Sequence, residues 1–242
     1  MEVSDSGKKS GWRDYAASEW DQRKPINWLH DWDFWKYCAE KFAQNGPILE
    51  LACGNGRITR QLALAGFEVA AVDINPHFLN RTVDAIPAEL RSKVAFHLQD
   101  VVYLTLDRQF HLAIMADWAF PAILTQSDQR QFLTRLYHHL LPGGHFAFNT
   151  AFATTRQLGL ISVDDRLVWQ QDRKRTFDAL SQVETNNNGP YQIRLRHNTL
   201  DDICLLGELA GFEIVEQYGN VDRRPLRGVE GDDLTLILRK TP

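Results

Sequence analysis

Apolar positions along the chain follow two different periods. Ile48–Ala52, Val69–Ile74, Val94–Leu98, Leu112–Ala116 and His145–Asn149 are short runs rich in apolar residues, the pattern of strands covered on both faces. Between them the apolar residues recur every three or four positions, as in Ile58, Leu62 and Ala65, which is a helical period. The punctuation agrees. A first helix between Asn27 and Asn45 carries the stripe Trp28, Trp32, Trp35 and Phe42, and Gly46-Pro47 stops it. Gly66 closes the helix after the first strand. Asn75-Pro76 reads as an N-cap followed by proline at the first helical position, opening a helix to about Ile86. Thr125–Asp128 caps a helix to Leu141, and Pro142-Gly143-Gly144 is a sharp turn. Five strand–helix alternations joined by short turns demand a parallel sheet with helices on both faces, wound in both directions from its centre.

The rhythm breaks after Thr150. Ala179–Thr185 and Tyr191–His197 flank the turn cluster Asn186–Gly189, the pattern of an antiparallel hairpin. A capping box at Thr199–Asp202 then opens a helix that ends at Gly211. Phe212–Tyr218 and Leu234–Leu238 follow with no helix between them, so they pair antiparallel. The expected fold is α/β, a doubly wound, mostly parallel seven-stranded sheet with an antiparallel C-terminal hairpin and a small antiparallel insertion after strand five. The expected divisions are 1–45 (tail and helical lid), 46–150 (core), 151–198 (insertion) and 199–242 (helix and hairpin completing the core). Arg173, Lys174, Arg175, Arg194 and Arg196 make the insertion basic, read first as a solvated face, next as an interface through which a homodimer would form, and third as recognition of an acidic substrate.

Composition narrows the function. The 242 residues carry a net charge of −4, against the basic face that nucleic-acid binders use, so no nucleic-acid partner is expected. Cys38, Cys53 and Cys204 have neither zinc spacing nor a disulfide framework, so reduced thiols in a cytoplasmic setting and no metal are expected. The longest apolar stretch, His111–Leu124, is broken by Asp117 and Pro121 and is too short to span a membrane. Met1–Gly11 is polar and reads as a tail rather than a secretory signal.

The candidate chemistry sits in the first strand–turn–helix. Gly54 and Gly56 permit a tight turn and close approach of a ligand, the following helix offers free N–H groups, and Asp73 ends the second strand where a carboxylate can accept both ribose hydroxyls. This layout suits any adenosine-containing ligand. A dinucleotide fingerprint would need a third glycine, at Thr59, and a P-loop would need Gly-Lys-Ser/Thr; neither is present. A carboxylate at Glu50 disfavours a pyrophosphate and suits a cationic ligand bearing an amino acid, such as S-adenosylmethionine.

The segment Glu50-Leu51-Ala52-Cys53-Gly54-Asn55-Gly56-Arg57 resembles the first motif of the class I S-adenosylmethionine-dependent methyltransferases, with Ala52 where glycine is usual. His97-Leu98-Gln99-Asp100 resembles their third-strand motif, and Leu140–Gly144 their turn before strand five. Gly211-Phe212-Glu213 with Tyr218–Asp222 resembles the terminal hairpin of small-molecule methyltransferases, among them the sugar-amine and glycine N-methyltransferase-like enzymes. The resemblance implies cofactor contacts from Glu50, Ala52, Cys53, Gly54, Gly56, Arg57, Asp73, Ile74, Asp100, Val101 and Ala116, with Tyr15 and Trp20 of the N-terminal segment folded over the cofactor. It places Asp117, Trp118, Phe120 and Asn149 beside the methyl acceptor, and His197 where the insertion returns to the core. Asp117 and His197 are the acid–base candidates. Asp117 reads equally well as a turn cap or ion-pair partner, and Cys53 as a packing residue. The resulting expectation is methyl transfer to nitrogen or oxygen of a small metabolite. Methylation of RNA or protein, and cofactor binding without catalysis, are the alternatives.

Overall fold

The alternation of apolar runs and amphipathic segments resolves into one large sheet flanked by helices. The computed structural model describes residues 11–151, 175–178, 180–188, 191–229 and 232–242. Two N-terminal helices, α1 (Ala17–Arg23) and α2 (Trp32–Phe42), precede β1 (Ile48–Leu51), α3 (Arg57–Leu64), β2 (Val69–Asp73), α4 (Pro76–Ala85), β3 (Val94–Leu98), β4 (Phe110–Met115), α5 (Gln126–His139) and β5 (Leu140–Ala151). Then come β6 (Arg175–Asp178), β7 (Val183–Asn188), β8 (Tyr191–Arg196), α6 (Leu200–Leu209), β9 (Phe212–Tyr218) and β10 (Asp233–Lys240).

The seven-stranded sheet has the order β3-β2-β1-β4-β5-β10-β9. Strands β1 to β5 pair parallel, and β10 runs antiparallel between β5 and β9. Its central strands are buried on both faces. Leu49 and Leu51 join a core with Phe132 and Leu136 of α5 and Ile203 and Leu206 of α6. Ile48 faces the other way, onto Trp35 of α2 and Ile58 and Leu62 of α3. The strand order reverses between β1 and β4, which are themselves parallel, and the crevice beyond their carboxyl ends is where a ligand binds in such sheets. Strands β6, β7 and β8 form a separate antiparallel sheet, and β8 packs against the turn at 120–122. Among the described residues no helix is long and apolar enough to cross a membrane.

The expected strands, caps and terminal hairpin are present, with some shifted bounds. The helix expected from Asn27 begins at Trp32. Pro25 to Asp31 is irregular, and the buried face of α2 is Phe34, Trp35, Cys38, Ala39 and Phe42. Trp28 lies outside it, 37% exposed, because Asp31 is drawn into a contact with Arg57. Ala63, not Ala65, completes the buried face of α3. The expected Pro142–Gly144 turn lies within β5 as a bulge: Phe110 pairs with Leu140 and Leu112 with His145, and Gly143 takes φ +70°. Strand β7 starts at Val183 rather than Ala179, because Leu180–Gln182 turn to meet β6. Arg196 is not on a solvated face; it is buried and donates to the Ser181 carbonyl and Gln182. Arg173, Lys174 and Met1–Ser10 lie outside the described residues.

Asn75 ties the N-terminal segment to the sheet. Its side-chain oxygen accepts from His77 and Phe78 as the α4 N-cap, while its amide donates to the carbonyls of Trp12 and Tyr15 at 2.8 and 2.9 Å. Replacing it removes a cap worth about 1 kcal/mol and two buried hydrogen bonds of about 1 kcal/mol each. Asn75→Ala is therefore expected to lose about 2–4 kcal/mol in urea unfolding and to speed tryptic cleavage after Arg23. A loss below about 1 kcal/mol would show that the cap alone matters.

Candidate active site

The turn after β1 concentrates strain and charge at the crevice. Gly54 and Gly56 have φ of +58° and +82°. A side chain at Gly56 would strike the Thr82 backbone, its Cβ 2.9 Å from Cα, so glycine is required there. Ala52 also has a positive φ, +55°. Its departure from the usual glycine is therefore conformational rather than a matter of size, and it costs about 1 kcal/mol. Asp117 and Trp118, just beyond β4, are left-handed as well, at +61° and +58°. Consecutive non-glycine residues in this region mark a loop held by its surroundings, a feature that clusters at functional sites.

Beneath the turn lie buried acids. Asp73 accepts the Gly54 and Asn75 N–H groups, both at 2.8 Å. Burial nevertheless pushes its carboxyl up to about 6, against the opposing pull of those N–H groups and that of Ile74. Glu50 accepts from Thr59 at 2.5 Å, and burial raises it to about 8. Arg57 is the neighbouring cation, and its guanidinium is engaged with both oxygens of Asp31 and with the Trp28 carbonyl. Burial works to raise the Asp31 carboxyl, but the Arg57 hydrogen bonds and charge outweigh it and hold it low. Burial thus favours the protonated forms of Glu50 and Asp73 when no ligand is present, and a cationic ligand would favour their ionised forms, whereas a pyrophosphate would oppose them.

The N-terminal segment roofs the crevice. The Trp20 indole nitrogen lies over Gly54, 3.8 Å from where a Cβ would stand. Tyr15 is fully buried, its ring among Trp12, Trp20 and Tyr191. Asn55 donates to Asp21 and to the Lys24 carbonyl. Lys24 reaches across to an ion pair with Asp117, and its ammonium lies 5.1 Å from the ring centres of both Trp20 and Trp28.

The remaining expected residues divide. Ile74, Val101 and Ala116 follow the ends of β2, β3 and β4, and Asp100 caps the short turn 101–103 through Val102 N–H. Asn149 contacts the Trp118 N–H at 3.5 Å. Trp118 is 41% exposed at the rim, its indole directed to Asp233, whose carboxyl burial raises to about 6. Phe120 does not line the crevice: it is fully buried against Phe132 and Phe148, because the chain turns inward at 120–122. The Cys53 thiol is buried and pushed up by burial, which fits packing. His197, also buried, bonds Glu184 through Nε2 at 3.0 Å, and its Nδ1 has no hydrogen-bond partner among the described residues. Sequence reasoning missed Asp21, Lys24, Asp31, Glu184 and Asp233. Their partners are far off in the chain, and no local spacing marks them.

Residues 48–144 match the family model described as a methyltransferase domain. A magnesium-protoporphyrin O-methyltransferase of Rhodobacter capsulatus is 39% identical over 70 residues, 29% of this chain and 31% of that protein. The chain spans less than half the length of the curated relatives it matches. Among solved structures, the CcbJ methyltransferase from Streptomyces caelestis superposes with a TM-score of 0.76 at 20% identity, covering 96% of this chain and 99% of that one. The S-adenosylmethionine-bound amino pentose methyltransferase CalS10 from Micromonospora echinaspora gives 0.64 at 15% identity, covering 94% and 98%. Residues 48–144 thus carry a methyltransferase domain, and the fold is that of the class I S-adenosylmethionine-dependent methyltransferases. The cofactor of this class is S-adenosylmethionine, and the charge beneath the β1 turn fits it.

Ala52→Gly relieves a left-handed alanine, and after the entropic cost of glycine it should gain up to about 0.5 kcal/mol in chemical denaturation; a loss would mean the alanine methyl is needed for packing. Glu50 and Asp73 titrate higher in the fold than in the unfolded chain. Ligand-free stability is therefore fullest below about pH 4 for these groups and declines as pH rises through 6 and 8. A cationic ligand favours their ionised forms, so its affinity should rise over the same interval. Calorimetry at pH 7 in buffers of different ionisation enthalpy should show proton release on binding S-adenosylmethionine; proton uptake would reverse the sign.

Proposed function

We propose that the protein transfers a methyl group from S-adenosylmethionine to nitrogen or oxygen of a small metabolite. The observation that carries this is the crevice itself. It opens at the β1–β4 reversal, is acidic beneath the turn, and is roofed by the chain's own residues 12–28. Such a roof suits an acceptor of limited size, and the acidic walls do not suit a polyanion.

In this reading Asp73 takes the ribose hydroxyls, Asp100 and Val101 flank the adenine, and the turn Ala52–Gly56 with Glu50 supports the methionine end. Tyr15 and Trp20 close over it. Asp117, Trp118 and Asn149 face the acceptor. The chain's main task is to align acceptor and methyl group and to exclude water, which supplies on the order of 7–11 kcal/mol. A neutral amine attacks through its own lone pair and sheds one proton. A hydroxyl needs a base, for which His197 is the candidate. With Nε2–H donated to Glu184, Nδ1 carries the lone pair.

Incubation with methyl-labelled S-adenosylmethionine and a metabolite extract should label a product of low mass. Label found only in RNA or protein would sink the small-molecule reading. Asp73→Ala should weaken S-adenosylhomocysteine binding by about tenfold or more in calorimetry, and unchanged affinity would remove Asp73 from the site.

A further inference from the structure

We infer that Lys24 is an internal cation occupying the acceptor's own binding place, and that the acceptor is an amine that must displace it. This rests on the methyltransferase reading above. Lys24 directly follows α1, yet its side chain is only 24% exposed and that of Asp117 only 22%. Its carbonyl is bound by Asn55 of the β1 turn, while its ammonium reaches Asp117 beyond β4. The side chain therefore crosses the crevice at the sheet's reversal point, where donor and acceptor must meet.

The surroundings of that ammonium are those of a binding site for alkylammonium. Two indole rings stand 5.1 Å from it, within cation–π range, and one carboxylate closes the box. Asp233, bonded to the Trp118 indole, adds a second acid whose carboxyl Lys24 also influences. A lysine side chain is itself a primary alkylamine, so a site that holds it holds the head group of such a substrate in the same way.

The pair is not required to dock the N-terminal segment. That segment is already fastened by Arg57–Asp31, Asn55–Asp21, Arg81–Asp21 and the Asn75 bonds to Trp12 and Tyr15. A partly exposed ion pair is also weak enough to exchange partners. Lys24 then acts as a specificity-determining residue. It neutralises Asp117 when no substrate is present, and it yields to a ligand carrying the same charge, whose ammonium then gives one proton to Asp117 so that the freed nitrogen lone pair can attack the methyl group, whereas a neutral alcohol has nothing to offer Asp117 in return.

The test measures the acetylation rate of individual lysines in the full chain by mass spectrometry, with S-adenosylhomocysteine present and tetramethylammonium chloride as the probe. Sodium chloride at equal ionic strength and tert-butyl alcohol, the neutral isostere, are the controls. Lys24 should react more slowly than Lys36, which is 49% exposed. Tetramethylammonium should raise the Lys24 rate by about threefold or more and leave Lys36 unchanged, while neither control does so. Most ligands protect the residues they touch, so an increase is specific to displacement. An unchanged or reduced Lys24 rate, or an equal effect of either control, overturns the inference. Lys24→Ala should bind tetramethylammonium about tenfold more tightly by tryptophan fluorescence, and Lys24→Ala/Asp117→Asn should lose that gain; equal affinity of the two variants also overturns it. S-adenosylhomocysteine affinity, measured in parallel, separates the two levels. Intact cofactor binding with no response at Lys24 refutes this inference alone, and absent cofactor binding refutes the reading beneath it.

Discussion

The buried pair between Arg57 and Asp31 is the contact on which the site depends. Arg57 opens α3 directly after the glycine turn, and Asp31 precedes α2, so their union brings the N-terminal segment over the carboxyl end of the sheet. Both side chains are almost fully withdrawn from water. Removing one partner would strand the other as a buried charge, a defect of about 3–5 kcal/mol. The Trp35 indole donates to the same carboxylate at 2.8 Å, which also couples the pair to the hydrophobic core. The roof over the crevice, the placement of Trp20 above Gly54 and the reach of Lys24 to Asp117 all presuppose it.

The arrangement makes the crevice the most stressed part of the molecule. Ala52, Asp117 and Trp118 take left-handed conformations there, and Glu50, Asp73 and Asp233 are carboxyls that burial drives upward. None of this helps the fold. A sheet of this order could end its strands in glycine and its crevice in neutral residues and be more stable. Concentrated strain and unbalanced charge at the ends of β1, β2 and β4 are features of a surface shaped for a charged ligand. Lys24 reads as a partial answer to the same imbalance.

The two halves of the chain differ in how legibly they were written. Strand positions, the N-cap at Asn75, the capping box at Thr199 and the antiparallel closure by β9 and β10 follow from periodicities of two and 3.6 and from backbone-specific residues, which act over a few positions. The strand–turn–helix–strand that carries Glu50, Gly54, Gly56 and Asp73 was legible for the same reason, since these residues lie on consecutive elements of one βαβ unit. The stripe Trp28, Trp32, Trp35 misled at its start, because the pull of Arg57 on Asp31 overrode the local helical period. Phe120 misled because the proximity of a residue to the end of β4 does not say whether the next turn points inward or outward.

By itself, then, the sequence determined the α/β class, the order of elements and the glycine turn after β1, since each of these is encoded in residues close together along the chain. Tertiary structure alone decided which distant charges meet. The contacts Arg57–Asp31, Lys24–Asp117, Trp118–Asp233 and His197–Glu184 join segments separated by 13 to 115 positions, and charge pairing at that range depends on how helices and loops pack, not on any local pattern. The surface beyond β4 is built from such pairs, and they became visible only when the chain was folded.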